Sequence, residues 1–112
     1  MDTKSQQQED RQISVDNIIA WLGGYGKMKA MVNARDLFLS SNDNNHTLSF
    51  RFSGSKVANL CEVTLNVVTD TYEVKFIKYR NSNYRIVGEF NDIYGESLKE
   101  LFENETGLYL SL

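Results

Sequence analysis

The fold is decided by the stretch from Thr47 to Phe102, which reads TLSFRFSGSKVANLCEVTLNVVTDTYEVKFIKYRNSNYRIVGEFNDIYGESLKELF. Four short segments of alternating apolar and polar residues are followed by one segment with apolar residues at helical spacing. Alternation with a period of two is typical of a strand that buries one face. The stretch therefore predicts an α+β fold, with an antiparallel β-sheet of four or more strands and a C-terminal amphipathic helix on one face.

The predicted register places one apolar set on a single face of the sheet. Pairing Val68 with Thr71 across a turn at Thr69-Asp70, and Arg80 with Tyr84 across Asn81-Ser82-Asn83, aligns the strands. A slip by one residue would turn the whole set into water, so the register is strongly specified. The inward set comprises Leu48, Phe50, Phe52, Val63, Leu65, Val67, Tyr72, Val74, Phe76, Tyr84, Ile86, Gly88 and Phe90.

Helical patterns flank this unit on both sides. The C-terminal helix is predicted over residues 94–102, capped by Asn91 or Asp92, ended by Gly107, and packed through Tyr94, Leu98, Leu101 and Phe102. A short N-terminal helix is predicted to start at Ser14, to carry Val15, Ile18, Ile19 and Leu22 on its apolar face, and to end at Gly23-Gly24.

The remaining segments complete the predicted organisation. Residues 1–12 are polar and predict a disordered tail, which leaves 13–112 as a single domain. Residues 27–32 predict a further strand, residues 37–39 a short apolar anchor, residues 40–46 a polar loop, and residues 108–112 an edge strand.

Composition argues against several function classes. The chain has 112 residues with ordinary hydrophobic (41%) and charged (24%) fractions, and it has neither an apolar run long enough to span a membrane nor a signal peptide. We therefore expect an intracellular, cytoplasmic protein. Cys61 and His46 are the only residues of their types, so no disulfide framework, transition-metal site or Ser-His pair is predicted.

No recognisable catalytic motif stands out. The segment Gly23-Gly-Tyr-Gly-Lys27 resembles a phosphate loop, but such loops follow a strand and open a helix, whereas here a helix is predicted before it and a strand after it. We expect a protein that is not an enzyme and that needs no cofactor.

Charge is distributed unevenly along the chain. Residues 71–85 carry four basic residues and one acid, for a net charge of +3, whereas residues 89–105 carry six acids and one lysine, for −5. The hairpin is therefore basic and the helix acidic. On the predicted register, the outward face of the sheet carries Arg51, Asn66, Lys75, Ile77, Tyr79, Arg85 and Val87.

Apolar and aromatic residues on an outward face need a covering partner or a ligand. The N-terminal helix could cover it through Ile18, Ile19 and Leu22, or a second copy of the chain could do so in a homodimer. Alternatively the face binds single-stranded nucleic acid, since aromatic rings stack on bases and cations contact phosphates.

Several short motifs resemble those of a group of small proteins from tailed phages and mobile elements. They are Leu22-Gly-Gly24, Lys27 with Ala30-Met31, Leu48-Ser-Phe50, Val63-Thr-Leu-Asn66, Asp70-Thr-Tyr72 with Phe76, and Thr106-Gly-Leu-Tyr109. The resemblance runs from about Ile18 to Leu112 and implies a phage or mobile-element context without implying catalytic residues. The predicted strand order is similar to that of small single-strand-binding modules of the positive-cofactor-4 and Pur types.

Two functional hypotheses follow from these patterns. In the first, the protein binds single-stranded nucleic acid through Arg51, Lys75, Lys78, Tyr79, Arg80, Tyr84 and Arg85. In the second, it is a small inhibitor or adaptor that binds a host protein complex through the acidic helix residues Glu96, Glu100 and Glu103.

Overall fold

The computed structural model describes residues 16–42 and 45–110. The predicted tail over residues 1–12 and the helix cap at Ser14 lie outside these residues. The described elements, in chain order, are a helical segment over residues 16–21 (α1), α2 Tyr25–Val32, β1 Arg35–Asn42, β2 Asn45–Arg51, β3 Leu60–Asn66, β4 Thr71–Arg80, β5 Asn83–Ile93, a 3-10 helix Gly95–Ser97, and α3 Leu98–Thr106.

The predicted α+β class is confirmed. Five strands form one antiparallel sheet in the order β1-β2-β3-β4-β5, so every strand pairs with its neighbour in the sequence. Strands β2 to β5 are the four that alternation predicts. None of the helices within the described ranges is long and apolar enough to cross a bilayer.

Two sequence predictions for the N-terminal half are wrong. Residues 27–32 form part of α2 rather than a strand, and Met28 and Val32, spaced four apart, are its buried residues. Residues 40–42 and 45–46 of the predicted loop belong instead to β1 and β2, where Ser41 pairs with His46, and the rest of that loop lies outside the described residues. Polar side chains are tolerated there because β1 is an edge strand with one face in solvent.

The core lies between the inner face of the sheet and the helices. The inner face is the one that carries Leu48, Val63, Val74 and Phe76, which alternate with the more exposed residues along β2, β3 and β4. The ring of Phe102 from α3 lies against this face, with its centroid 6.0 Å from Phe50, 5.1 Å from Phe52 and 6.2 Å from Phe76.

The N-terminal helix packs on the inner face and not on the outer one. Ile18 of α1 and Leu22, which directly follows α1, are fully buried in the same hydrophobic cluster as Leu48, Phe76 and Phe102. The hypothesis that this helix covers the outer face is therefore wrong. Both α1 and α3 contribute to one core, which leaves the outer face to be explained by its own side chains.

The β3–β4 turn shifts the predicted register by two residues. Asn66 pairs with Thr71, so Leu65 faces Tyr72 and Val63 faces Val74, and the loop holds residues 67–70. The side chain of Asn66 stabilises this longer turn, because its Oδ1 accepts hydrogen bonds from the backbone N–H groups of Val68 (3.0 Å) and Thr69 (3.4 Å). A shift by two keeps every side chain on its predicted face, except that Val67 and Val68 leave the strand and become exposed.

The C-terminal helix begins later than predicted. Strand β5 continues through Asn91 and Asp92 to Ile93, so neither residue caps the helix, and Tyr94 is exposed rather than part of the apolar face. The end is as predicted: Gly107 adopts a left-handed conformation (φ 76°) and its N–H bonds the carbonyl of Glu103. Residues 108–110 form no strand, and Leu110 instead is buried in the core.

Phe102→Ala should destabilise the protein by about 3–5 kcal/mol, because it removes the ring that packs α3 against three phenylalanines of the sheet side of the core and leaves a cavity. Urea unfolding followed by circular dichroism measures this loss. Tyr109→Ala, which truncates an exposed ring, is the control and should change stability by less than about 0.5 kcal/mol. Equal effects of the two changes would contradict this account of the core.

Candidate nucleic-acid interface

One extra residue in β5 decides which side chains of the β4–β5 hairpin face outward. Phe76 pairs with Gly88 but the next residue of β4, Ile77, pairs with Ile86, so Val87 has no partner across the ladder. This is a β-bulge, in which two successive residues oppose one. Val87 packs against the core, while Ile86 is on the outer face beside Ile77.

Because of the bulge, the prediction of which β5 side chains lie on the outer face is partly wrong. Beyond it Tyr84 pairs with Tyr79 and Arg85 with Lys78, so Tyr84 and Ile86 take the outward positions predicted for Arg85 and Val87. The register from Phe76 to Val74 is as predicted, with Lys75 opposite Glu89. Ile77, predicted to be available on this face, is fully buried.

Two tyrosines form the exposed aromatic surface at the hairpin end, residues 78–85. Tyr79 and Tyr84 are direct cross-strand partners, and their exposed fractions are 37% and 54%. The Arg51 guanidinium lies 5.2 Å from the centroid of the Tyr79 ring, in cation–π range. One face of Tyr79 is therefore occupied by Arg51, and Tyr84 offers the more accessible ring.

Asn59 holds the backbone of Tyr79, and sequence analysis gave it no role. Its Nδ2 donates to the Tyr79 carbonyl (2.7 Å), its Oδ1 accepts from the Tyr79 N–H (2.8 Å), and its own N–H donates to the carbonyl of Ile77 (3.0 Å). This side chain extends the pairing of β3 with β4 by one step before the start of β3. It fixes the part of β4 that carries the aromatic surface.

Three cations gather on the opposite face of the same hairpin end. Lys78, Arg80 and Arg85 line a shallow cavity of about 220 Å³ together with Asn81 and Asn83. Within residues 16–42 and 45–110, ion pairs join Arg51 to Asp36 (3.9 Å) and Lys75 to Glu73 (3.8 Å), and none involves these three cations. We refer to Lys78, Arg80 and Arg85 as the basic cluster.

The predicted nucleic-acid set is thus divided between two faces. Arg51, Lys75, Tyr79 and Tyr84 are on the outer face, and the basic cluster is on the inner side of the hairpin. The outer-face cations Arg51 and Lys75 each form an ion pair, whereas none is found for the basic cluster among the described residues. The hairpin end therefore brings three cations without an ion-pair partner close together.

Tyr84 is also close to charged neighbours on the outer face. Partial burial raises the pKa of its hydroxyl, the nearby Glu62 carboxylate raises it further, and Lys75 opposes this shift. Tyr84 is therefore neutral at physiological pH, so its ring bears no charge that would repel a phosphate.

The remaining residues that the sequence analysis considered lie on α3, in β2 and in the core. Glu103 is occupied, because its Oε2 accepts a hydrogen bond from the Leu110 N–H (2.8 Å), while Glu96 and Glu100 are exposed. His46 is buried in β2 rather than in a loop, with Nδ1 3.2 Å from the Ser41 hydroxyl. Cys61 is buried in the core, and this burial raises the pKa of its thiol.

The Gly23–Lys27 segment differs from its prediction in one respect. As predicted, α1 ends just before Gly23 and Gly24, which have positive φ values of 104° and 96°. The element that follows them is α2 and not a strand. A helix and not a strand still precedes the glycines, so the arrangement is that of a helix–turn–helix connection.

The two-residue turn at the hairpin end has a sequence that can be improved. Asn81 and Ser82 both adopt positive φ (52° and 67°), as in a type I′ turn, where the second position favours glycine. Ser82→Gly should stabilise the protein by about 0.5–1 kcal/mol by relieving this conformation. Thermal unfolding measures the change, and a lower melting temperature would contradict the assigned turn.

Comparison with known proteins gives no match, whether with family models, curated proteins or solved structures.

Proposed function

We propose that the protein is a non-enzymatic phage or mobile-element accessory protein that binds single-stranded nucleic acid at the end of the β4–β5 hairpin. The observation that carries the proposal is the basic cluster, whose three cations lack an acidic partner in the described part of the chain. Unpaired cations at an exposed hairpin end favour a ligand with several negative charges.

The edge strand β5 brings the two kinds of contact together. Tyr84 and Arg85 are adjacent in the sequence and point to opposite faces of the sheet. A single strand that follows the free edge of β5 can place its phosphates against the basic cluster and turn its bases onto Tyr84. A duplex presents no unstacked base for the tyrosine, so this arrangement favours single strands.

The net charge of the whole protein disfavours non-specific binding of a polyanion. The net charge is −3, and the outer face pairs its basic residues with acids, so most of the surface does not attract a polyanion. We therefore expect moderate affinity with a steep dependence on salt.

The acidic helix offers weaker support for the adaptor hypothesis. Glu103 accepts a hydrogen bond from the backbone of its own chain, which leaves Glu96 and Glu100 as the exposed acids of the predicted set. A pull-down from nuclease-treated host lysate separates the two functions, because only an adaptor retains its partner after nucleic acid is removed.

Tyr84→Ala should weaken binding of a single-stranded oligonucleotide by about 1–3 kcal/mol, the usual contribution of one stacked base. Tyr79→Ala should have a smaller effect, because Arg51 already occupies one face of that ring. Fluorescence anisotropy with a labelled oligonucleotide measures both. Tyr109→Ala is the control, and unchanged affinity in the Tyr84 variant would overturn the stacking contact.

Replacing Arg80 and Arg85 by glutamine should flatten the salt dependence of binding. Each lost phosphate contact lowers the slope of log K against log salt by about 0.7 for a single strand. Lys27→Gln with Lys29→Gln removes the same charge from exposed positions on α2. If both double variants lose slope equally, binding reflects net charge and not the basic cluster.

A further inference from the structure

An open cleft lies at the end of β4 opposite to the hairpin end. It has a volume of about 550 Å³ and forms where α1, the β3–β4 turn and the segment after β5 meet. We call it the aromatic cleft. Its lining residues are Asn17, Ala20, Trp21, Asp70, Tyr72, Tyr94, Gly95 and Glu96.

Two large aromatic side chains that line this cleft are exposed to solvent and are not part of the core. Trp21 is 44% exposed and Tyr94 is 62% exposed. Leaving such rings in water is unfavourable by the usual burial energetics. Their location together in one cleft favours a ligand-binding role.

The indole of Trp21 is held in a defined position. It packs so closely on Gly95 that a Cβ atom there would overlap the ring. Its N–H also interacts with the hydroxyl of Tyr72, which is buried in the cleft floor. The cleft is therefore lined by a fixed indole and not by a freely rotating side chain.

The ionisable groups that line the cleft are acidic or neutral. Asp70 and Glu96 provide two carboxylates, and the lining contains no lysine or arginine. The field of Asp70 reaches the cleft floor: burial raises the pKa of the Tyr72 hydroxyl first, and the negative charge of Asp70 raises it further. The cleft thus has negative potential next to aromatic rings.

Aromatic faces combined with carboxylates suit one ligand chemistry. The negative face of an aromatic ring attracts a cation, and its hydrocarbon substituents contact the ring surface. We infer that the aromatic cleft binds an alkylammonium group, carried by a small amine or by a lysine side chain of a peptide. Inorganic cations lack the hydrocarbon substituents that the rings contact.

This site is independent of the proposed nucleic-acid interface. Tyr72 and Tyr79 are seven residues apart on β4, which is roughly 23 Å along a strand. The variants that test one site leave the other unchanged, so failure of either proposal says nothing against the other.

Trp21 itself provides the signal for the test, because it is the only tryptophan of the chain. The full-length protein is titrated with choline, with its neutral carbon isostere dimethylbutanol, and with N-acetyl-lysinamide, while tryptophan fluorescence is recorded. We expect a saturable change with choline at a concentration at least about threefold below that required for the isostere. A stronger response to N-acetyl-lysinamide than to choline identifies a peptide source, and the reverse identifies a small amine.

Charge variants separate the cleft from general electrostatics. Asp70→Asn with Glu96→Gln should weaken choline binding at least about fivefold, since both carboxylates are lost. Asparagine tolerates the left-handed conformation of position 70 (φ 57°). Glu100→Gln removes an exposed acid of the same region that does not line the cleft, and should change binding by less than about twofold.

The outcomes that would overturn the inference are specific. They are an equal response to choline and to its isostere, no saturable change with any of the three probes, or the same loss in Glu100→Gln as in the Asp70→Asn, Glu96→Gln double variant. Tyr94→Leu adds a check that does not involve charge: it keeps an apolar side chain but removes the ring, and it should reduce the preference for choline over the isostere. Circular dichroism confirms that each variant is folded.

Discussion

The β-bulge at Val87 is the constraint on which the chemistry of the hairpin end depends. It turns Val87 and Gly88 toward the core, and a Cβ at Gly88 would lie 3.2 Å from the Phe90 ring and 3.6 Å from Phe76. Beyond the bulge the facing of β5 is inverted relative to an uninterrupted strand. Tyr84 consequently joins Tyr79 on the outer face, and Arg85 joins Lys78 on the other.

On the outer face, apolar cross-strand contacts and cross-strand contacts between charged residues lie at different positions along β4. On the outer face Ile77 is fully buried between its cross-strand partners Leu60 and Ile86, so the strands themselves provide a small second apolar layer. Further along, Lys75 lies opposite both Glu62 and Glu89, which balances charge across three strands. Within the described ranges, no ion pair joins an acid to the basic cluster. The positive charge of the cluster therefore gives the hairpin end of the sheet its positive potential.

Residue alternation predicts β2 to β5 because one face of β2, β3 and β4 is buried in the core and the same face of β5 is partly buried against it. It tolerates the two-residue error at Asn66, since a period of two preserves the faces. It cannot place a bulge, for which Gly88 is the only local signal, and it therefore assigns Tyr84, Ile86, Arg85 and Val87 to the wrong faces. The paired hydrogen bonds of Asn59 depend on tertiary contact with β4 and have no signature in the local sequence.

The two ends of β4 have opposite electrostatic character. The hairpin end carries three unpaired cations, and the aromatic cleft carries two carboxylates beside Trp21 and Tyr94. A separation of roughly 23 Å is nearly three Debye lengths at physiological ionic strength, so neither site appreciably changes the potential at the other. One strand thus carries a positively charged region at one end and a negatively charged region at the other, and neither appreciably alters the potential of its counterpart. Because β4 is hydrogen-bonded on both sides, it fixes the distance between these two regions.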